Sequence, residues 1–426
     1  MQNALVVADD LTGTLDTGHG FAARGRGVEA HLADTGDESG LPTDADVLAV
    51  DTDSRDAGPA TAASAVRSIL DRSDPRLVYK KVDSTLRGNV VPEIDAALAE
   101  QGTAFAVVAP AFPSTGRTTR DGVHRVEGTP LAEAGYGVEA SSLPDVLSAS
   151  AYSVEHLPLS VVDGGHAAVT AWLDERARPD GTPVVVACDA VTDAHLAAIA
   201  AGADGVDGDP LYVGSGGLAE HVAVPREPSP PSPPECDGTG VLGVVGSVNP
   251  RTLDQLAAVP SGDVVQVDPA EAVRDPTAAA DAVTGDLRRV LRERGRAVVT
   301  GALDQTDTEQ SAAAAAALAD EDGAAVDAGD RVARALATAA ARTVGDGTDF
   351  DPHGLVLTGG DIARATLTAL GATGLGLTGE AVDDGLPVGW VADGPLAGTR
   401  VVTKAGGFGG RRSIVNSIER LGDDNE

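Results

Sequence analysis

The chain is poor in cysteine, methionine, lysine and aromatic residues, and it has no long apolar run. Two cysteines in 426 residues, Cys188 in an apolar stretch and Cys236 in a proline-rich one, exclude a disulfide framework and a cysteine zinc site. No apolar run approaches the roughly 18 residues of a membrane span. The opening Met1-Gln2-Asn3-Ala4-Leu5-Val6-Val7 has neither a basic region nor a cleavage site, so a soluble, cytoplasmic protein is expected. The histidines show no H-x-x-x-H or H-E-x-x-H spacing, which argues against a dedicated zinc site. No lysine precedes a serine or threonine, so there is no Walker A loop, and the protein-kinase catalytic-loop signature is also missing.

What is present in excess is negative charge: 65 acidic against 31 basic residues, a formal net charge of -34. The acids are scattered and hydrophobic periodicity persists throughout, so the excess is a solvated surface rather than a disordered tail. This composition resembles that of proteins from extreme halophiles. It makes nucleic acid and anionic membranes poor partners, and a homo-oligomer is compatible with it. An anionic substrate needs a local cluster of positive groups against this background. Lysine occurs only at Lys80, Lys81 and Lys404, positions where a compact ammonium can act in a confined site as arginine cannot.

The prolines between Val224 and Asp237 forbid helix and ladder pairing. The expected organisation is a first domain over residues 1–224, a Pro-rich linker over 225–237 and a second domain over 238–426. In the first domain, apolar runs at Leu5 to Ala8, Asp46 to Asp51, Leu77 to Val82, Phe105 to Ala109, Pro183 to Cys188 and Leu211 to Val213 alternate with helical patterns such as Ala60 to Leu70. In the second, strands are expected at Gly240 to Gly246, Val264 to Val267, Ala297 to Val299 and Leu355 to Leu357, followed by strand-rich sequence from Leu375 to Val402. The fold class is therefore α/β: two α/β domains with mainly parallel sheets. The six alanines from Ala312 to Ala317 fall in a helix and ask for no functional explanation.

Ligands of open parallel sheets sit beyond the carboxyl ends of strands. Four kinds of segment meet that condition. Asp9, Asp10 and Thr12 follow the first strand, where two carboxylates can hold hydroxyls or take a proton; Asp10 or Thr12 could instead cap the next helix, equally so for Thr12, but for two adjacent aspartates the functional reading leads. Lys80 to Asn89 gathers two ammoniums, Asp83, Ser84, Thr85 and Arg87. Strand alternation puts Lys81 with Asp83 and leaves Lys80 to a structural role. The Pro-punctuated loop Ala109 to Thr119 offers Arg117 as a second anion contact. Three glycine-rich turns, at Gly246-Ser247, Thr358-Gly359-Gly360-Asp361 and Lys404 to Gly410, let amides approach phosphate oxygens. Gly214-Ser215-Gly216-Gly217-Leu218-Ala219 matches G-x-G-x-x-A without a completed βαβ unit, so it reads as a tight turn; it is the only support for a nicotinamide-dependent sugar-acid dehydrogenase.

In order and character, A-D-D-L-T-G-T-L-D-T-G from Ala8, K-K-V-D-S-T-L-R-G-N from Lys80, A-P-A-F-P-S-T-G-R-T-T from Ala109, G-S-V-N-P-R-T from Gly246, T-G-G-D from Thr358 and T-K-A-G-G-F-G from Thr403 resemble the four-carbon acid sugar kinase family. The resemblance covers nearly the whole chain; Leu131 to Ser141 departs from it, lacking a longer Phe-Ala-x-Asp-like stretch. It implies ATP-dependent phosphorylation of threonate, erythronate or 3-oxotetronate, with the sugar acid on the N-terminal half and ATP on the C-terminal half. It further implies that Ser247, Thr358, Gly359, Gly360, Asp361 and Gly406 contact ATP, that Lys404 reaches a phosphate, and that Mg2+ accompanies the nucleotide. Lys81, Ser84 and Arg87 would orient the substrate carboxylate. Asp10 is the favoured base, with Asp83 second, because Asp10 is expected to have no neighbouring ammonium. Closure about the linker would exclude water, and a non-catalytic sugar-acid sensor is the third reading.

Overall fold

Strands that are apolar at every position need both faces covered, and parallel sheets flanked by helices provide this. The computed structural model describes residues 3–32, 41, 45–177, 181–225, 233–322, 325–345, 348, 350–383 and 385–423, and the chain divides into two compact units, Met1–Pro230 and Pro231–Glu426. Of the expected linker, residues 226–232 lie outside the described residues.

The first unit contains β1 (Ala4–Ala8), β2 (Val28–Leu32), β3 (Val47–Asp51), β4 (Val78–Lys81), β5 (Phe105–Ala109), β6 (Arg117–Arg120), β7 (Val123–Val126), β8 (Thr129–Pro130), β9 (Ser153–Leu157), β10 (Val184–Cys188) and β11 (Leu211–Gly214). Its main sheet runs β2-β3-β1-β4-β11-β5-β10-β9 and is wholly parallel. The chain leaves β1 toward β3 on one side and returns to β4 on the other, so β1 lies at a topological switch point. Leu5, Val7, Leu48, Val50 and Val78 pack with Val66, Ile69, Ile94 and Leu98 of two helices, Pro59–Asp71 and Val90–Gln101, to form the core.

The expected strands of this unit are all present within a residue or so. Two others are not apolar throughout: β2 alternates buried with half-buried positions, and β9 alternates exposed with half-buried ones before the buried Leu157. The expected loop Ala109 to Thr119 is in part strand: Arg117 opens β6, which pairs with β7 in a small antiparallel sheet completed by β8. The Gly214 to Ala219 segment is indeed a strand-to-helix turn, β11 giving way to a helix at Gly216–Ala219.

The second unit contains β12 (Val241–Val245), β13 (Val264–Gln266), β14 (Arg296–Thr300), β15 (Gly354–Thr358), β16 (Gly374–Ala381), β17 (Pro387–Val391) and β18 (Arg400–Lys404). Its order is β13-β14-β12-β15-β18-β17-β16, parallel from β13 to β18, with β17 antiparallel to both neighbours. The alanine run lies in the helix Gln305–Asp322, where Ala314 and Ala315 pack against Val273.

Candidate active site

Strands β1, β3 and β4 end side by side because Ala8 pairs with Asp51 and Val7 with Lys80. The ladder continues past the strands: the Asp9 carbonyl accepts the backbone N–H of Ser54 at 3.0 Å and of Arg55 at 3.2 Å. This delivers the Arg55 guanidinium onto both aspartates. Nε and Nη2 grip Asp9 at 2.9 and 2.8 Å, while Nη1 and Nη2 reach Asp10 at 2.7 and 2.8 Å. Asp9 is 2% exposed; burial works to raise its carboxyl pKa, but Arg55, with Lys80 and Lys81 nearby, holds it below the usual value. Asp10 also caps the helix Leu11–Ala22, accepting the Gly13 N–H at 2.9 Å, and Thr12 stands in the first turn of that helix. Asp10 was expected to have no neighbouring ammonium to lower its basicity, and a guanidinium, that of Arg55, is bonded to it instead.

The adjacent lysines part company as alternation requires. Lys80 is wholly buried and saturates its three donors on Glu93 at 3.0 Å, the Val7 carbonyl at 3.2 Å and the Lys81 carbonyl at 2.6 Å. Glu93 also accepts from the Ser54 hydroxyl at 3.0 Å, so this pair braces the turn that carries Arg55. Lys81 donates to the Val82 carbonyl at 3.0 Å and lies against Gly13. A Cβ on Gly13 would stand 2.9 Å from the Lys81 ammonium and 2.5 Å from Asp10 Oδ1, so only glycine leaves room there.

The loop after β4 is held from within. Asp83 accepts from the Thr85 hydroxyl at 2.5 Å and from Arg87 Nε at 2.6 Å. Burial works to raise the Asp83 carboxyl, yet Arg87 and Arg55 keep it well below the usual carboxylate range. Arg87 is 47% exposed and, among the described residues, its Nη groups make no hydrogen bond. Leu86 has φ +57°, rare for leucine, and the loop thus keeps a strained conformation at a candidate site. The Ser84 carbonyl accepts from His124 Nε2 at 2.8 Å. Arg117 lies near this imidazole and works against its protonation; its Nη1 donates to the Thr115 carbonyl, and its buried Nε has no partner among the described residues.

In the second unit a cavity of about 420 Å³ is lined by Gly246, Ser247, Asn249, Gly359 and Asp361 on the sheet side and by Ser311, Ala312 and Val332 of two helices opposite. Part of the alanine run thus serves as a cavity wall, a role that helical propensity alone does not suggest. Gly359 has φ +96° and donates its N–H to the Lys404 carbonyl at 2.9 Å; the helix Gly360–Ala369 begins immediately after it. Thr358 is fully buried below the turn. Gly406 packs so closely that a Cβ would stand 2.5 Å from Ser247 Oγ.

Lys404 does not line this cavity. Its ammonium donates to the Thr252 hydroxyl at 3.0 Å, the Ala405 carbonyl at 2.9 Å and the Gly406 carbonyl at 3.0 Å, which uses all three donors. Burial, assisted by Arg251, pushes its pKa down to about 8. These contacts clamp the glycine turn that begins at Lys404. Among the described residues no group of three or more His, Cys, Asp or Glu side chains could hold a metal ion.

Residues 4–222 match the family model of a sugar-binding N-terminal domain, and residues 242–414 match that of a nucleotide-binding C-terminal domain. The chain is 34% identical to the D-threonate kinase of Cupriavidus necator, over 98% of this chain and 97% of the relative. It is 32% identical to the D-erythronate kinase of Heliobacterium modesticaldum, over 99% of this chain and 97% of the relative. The chain belongs to the four-carbon acid sugar kinase family. It is accordingly an enzyme, a phosphotransferase. Two solved structures share the family fold: a Salmonella typhimurium protein at a TM-score of 0.77 and 23% identity, covering 97% of this chain and 98% of its own, and a Haemophilus influenzae protein at 0.74 and 20%, covering 98% and 100%. Among the described residues no helix is long and apolar enough to cross a membrane.

Against this family background, sequence reasoning missed two residues of the first unit. Arg55 was detectable: Asp51-Thr52-Asp53-Ser54-Arg55 is a polar cluster directly after an apolar strand, the criterion that found the other segments. Asp16 sits three residues beyond Gly13 on the same helical face, with its Oδ2 only 2.6 Å from where a Cβ of Gly216 would lie. Burial raises its carboxyl pKa, and Lys81 opposes the rise.

Proposed function

We propose that this enzyme transfers the γ-phosphoryl group of ATP to the terminal hydroxyl of a four-carbon sugar acid, with threonate and erythronate ahead of 3-oxotetronate. The observation that carries the reading is the Arg55 fork, which fixes Asp9 and Asp10 as hydroxyl acceptors beside Arg87, whose Nη groups are unengaged among the described residues. A carboxylate anchored by a guanidinium accepts hydroxyl protons without moving, while a guanidinium edge with open N–H groups suits a carboxylate bidentately. Arg87, Ser84 and Lys81 then take the acid group, Arg117 gives a second anion contact, and Thr12 adds a hydroxyl.

Of the two candidate bases, Asp83 is 11% exposed and tied within its own loop by Thr85 and Arg87, whereas Asp10 stands 25% exposed at the strand end, so Asp10 is the more accessible acceptor, with the proton leaving late in a loose transition state. On the nucleotide, the Ser247 hydroxyl, the helix start at Thr358, Gly359, Gly360 and Asp361, and the separate turn carrying Gly406 offer polar groups and amides to the phosphates. Lys404 keeps that turn in shape. Magnesium fits here as an ion held mainly by phosphate oxygens and water, with Asp361 as the carboxylate at the cavity, and it would neutralise charge on the triphosphate. An enzyme that spends ATP on a small metabolite works in the cytoplasm, and the acidic surface suits concentrated salt.

The test is magnesium-dependent ADP release, measured at molar KCl with threonate, erythronate and 3-oxotetronate epimers. Turnover with one of them, lost in Asp10→Asn, is the expected result. Absence of turnover with every four- to six-carbon sugar acid would reject the reading.

A further inference from the structure

His124 is absent from every motif considered so far, yet it forms the only described hydrogen bond from the small antiparallel sheet to the loop that carries Ser84 and Arg87. Its ring is fully buried and bonded on both sides: Nδ1 to the Thr119 hydroxyl at 2.9 Å and Nε2 to the Ser84 carbonyl at 2.8 Å. A carbonyl only accepts, so Nε2 carries the hydrogen and Nδ1 accepts from Thr119. Burial favours this neutral form.

The support behind the ring is rigid. Thr119 pairs with His124 across β6 and β7, and Thr119 exchanges two backbone bonds with Ala190, at 2.8 and 2.9 Å. At the hairpin tip, the N–H groups of Asp121 and Gly122 donate to the fully buried Asp189 carboxylate at 2.8 and 2.9 Å, and Asp189 also takes the Leu159 N–H at 3.1 Å. The hairpin is thus bolted at its middle and its tip to the chain that follows β10. The loop it touches is less constrained by ladder bonds and contains Leu86 at φ +57°, a conformation that persists only where its surroundings impose it.

We infer that His124 is a positioning residue that fixes the height and orientation of the Asp83 to Gly88 loop, and through it the capture of the sugar-acid carboxylate by Arg87 and Ser84. The inference rests on the sugar-acid reading of this loop. Its physical core, a loop held by an imidazole, can be measured without turnover.

Two readouts and three variants test it. His124→Phe removes both hydrogen bonds; His124→Gln keeps an N–H donor at the distance of Nε2; Thr119→Val removes only the hydroxyl that orients the ring. In full-length enzyme, His124→Phe should raise KM for the sugar acid by about 10-fold or more while KM for ATP stays within about two-fold, the loss expected for one positioning hydrogen bond. It should also speed hydrogen exchange of the amides from Ser84 to Gly88. Gln should recover most of both effects, and Thr119→Val should shift both in the same direction by less. The inference is overturned if the folded Phe variant keeps its sugar-acid KM and its exchange pattern, if the KM values for acid and ATP rise together, or if Gln is no better than Phe. Should Phe prevent folding, unchanged KM and exchange in Thr119→Val overturn it. If the wild-type enzyme turns over no sugar acid, the functional reading fails, and the exchange data still decide whether His124 holds the loop.

Discussion

Arg55 bonds two carboxylates at once, so its loss acts on stability and on activity through separate atoms. Replacing it with methionine leaves Asp9, 2% exposed, as a buried charge without its fork. Breaking such a pair from one side costs about 3–5 kcal/mol, because the remaining ion is left uncompensated. The same substitution frees Asp10 from two bonds and lets its carboxylate drift from the hydroxyl it is proposed to face. Arg55→Met should therefore lower the unfolding free energy measured by urea titration by that amount and reduce kcat/KM for the sugar acid by about 100-fold, whereas Arg55→Lys keeps the charge but cannot bind two carboxylates in a plane. Lys should fall between wild type and Met in both measurements; parity of Lys with Arg would show that only the charge matters. Asp16 is the contrasting carboxylate, raised by burial and, among the described residues, bonded to no cation.

At the scale of elements, the site is a set of strand ends and turns held by a few buried polar pairs. Lys80 and Glu93, 0% and 1% exposed and 3.0 Å apart, join β4 to the helix Val90–Gln101, and Ser54 attaches the Arg55 turn to the same carboxylate. Lys80→Met alone should destabilise the protein by about 3–5 kcal/mol, and the double variant with Glu93→Leu should recover most of that, because an apolar pair of similar volume needs no desolvation. Thermal or urea unfolding of both variants checks this; equal loss in single and double variants would contradict it. The role of Lys80 was readable from strand alternation, and the strands themselves from their apolar runs. Arg55 was harder to read for a topological reason: the aspartates it grips lie 45 and 46 residues away, and only the parallel pairing of β1 with β3 brings them together. His124 was invisible for a similar reason, since its partner Ser84 lies 40 residues earlier. The partners of Lys404 were not legible either, because the carbonyls that occupy its donors are backbone groups of the glycine turn, which side-chain patterns do not reveal.

For the whole molecule, the decisive quantity is charge. The three lysines are all buried, so exposed side-chain cations are arginines, and 65 acidic residues face them with a net charge of -34. Self-repulsion of that size opposes the compact state. The Debye length falls from about 10 Å at 0.1 M salt to about 3 Å at 1 M, so added salt removes repulsion between neighbouring surface carboxylates. The buried pairs at Asp9, Arg55, Lys80 and Glu93 are screened far less, and they should hold the active site together across the same range. The thermal midpoint should therefore rise steeply as KCl increases from about 0.1 to 1 M and flatten once the screening length drops below the spacing of surface charges. Sucrose at matched osmolality should give a smaller rise, because it is excluded from the surface without screening charge. A midpoint that does not change with KCl, or that follows sucrose and salt equally, would show that surface repulsion is not what limits this fold.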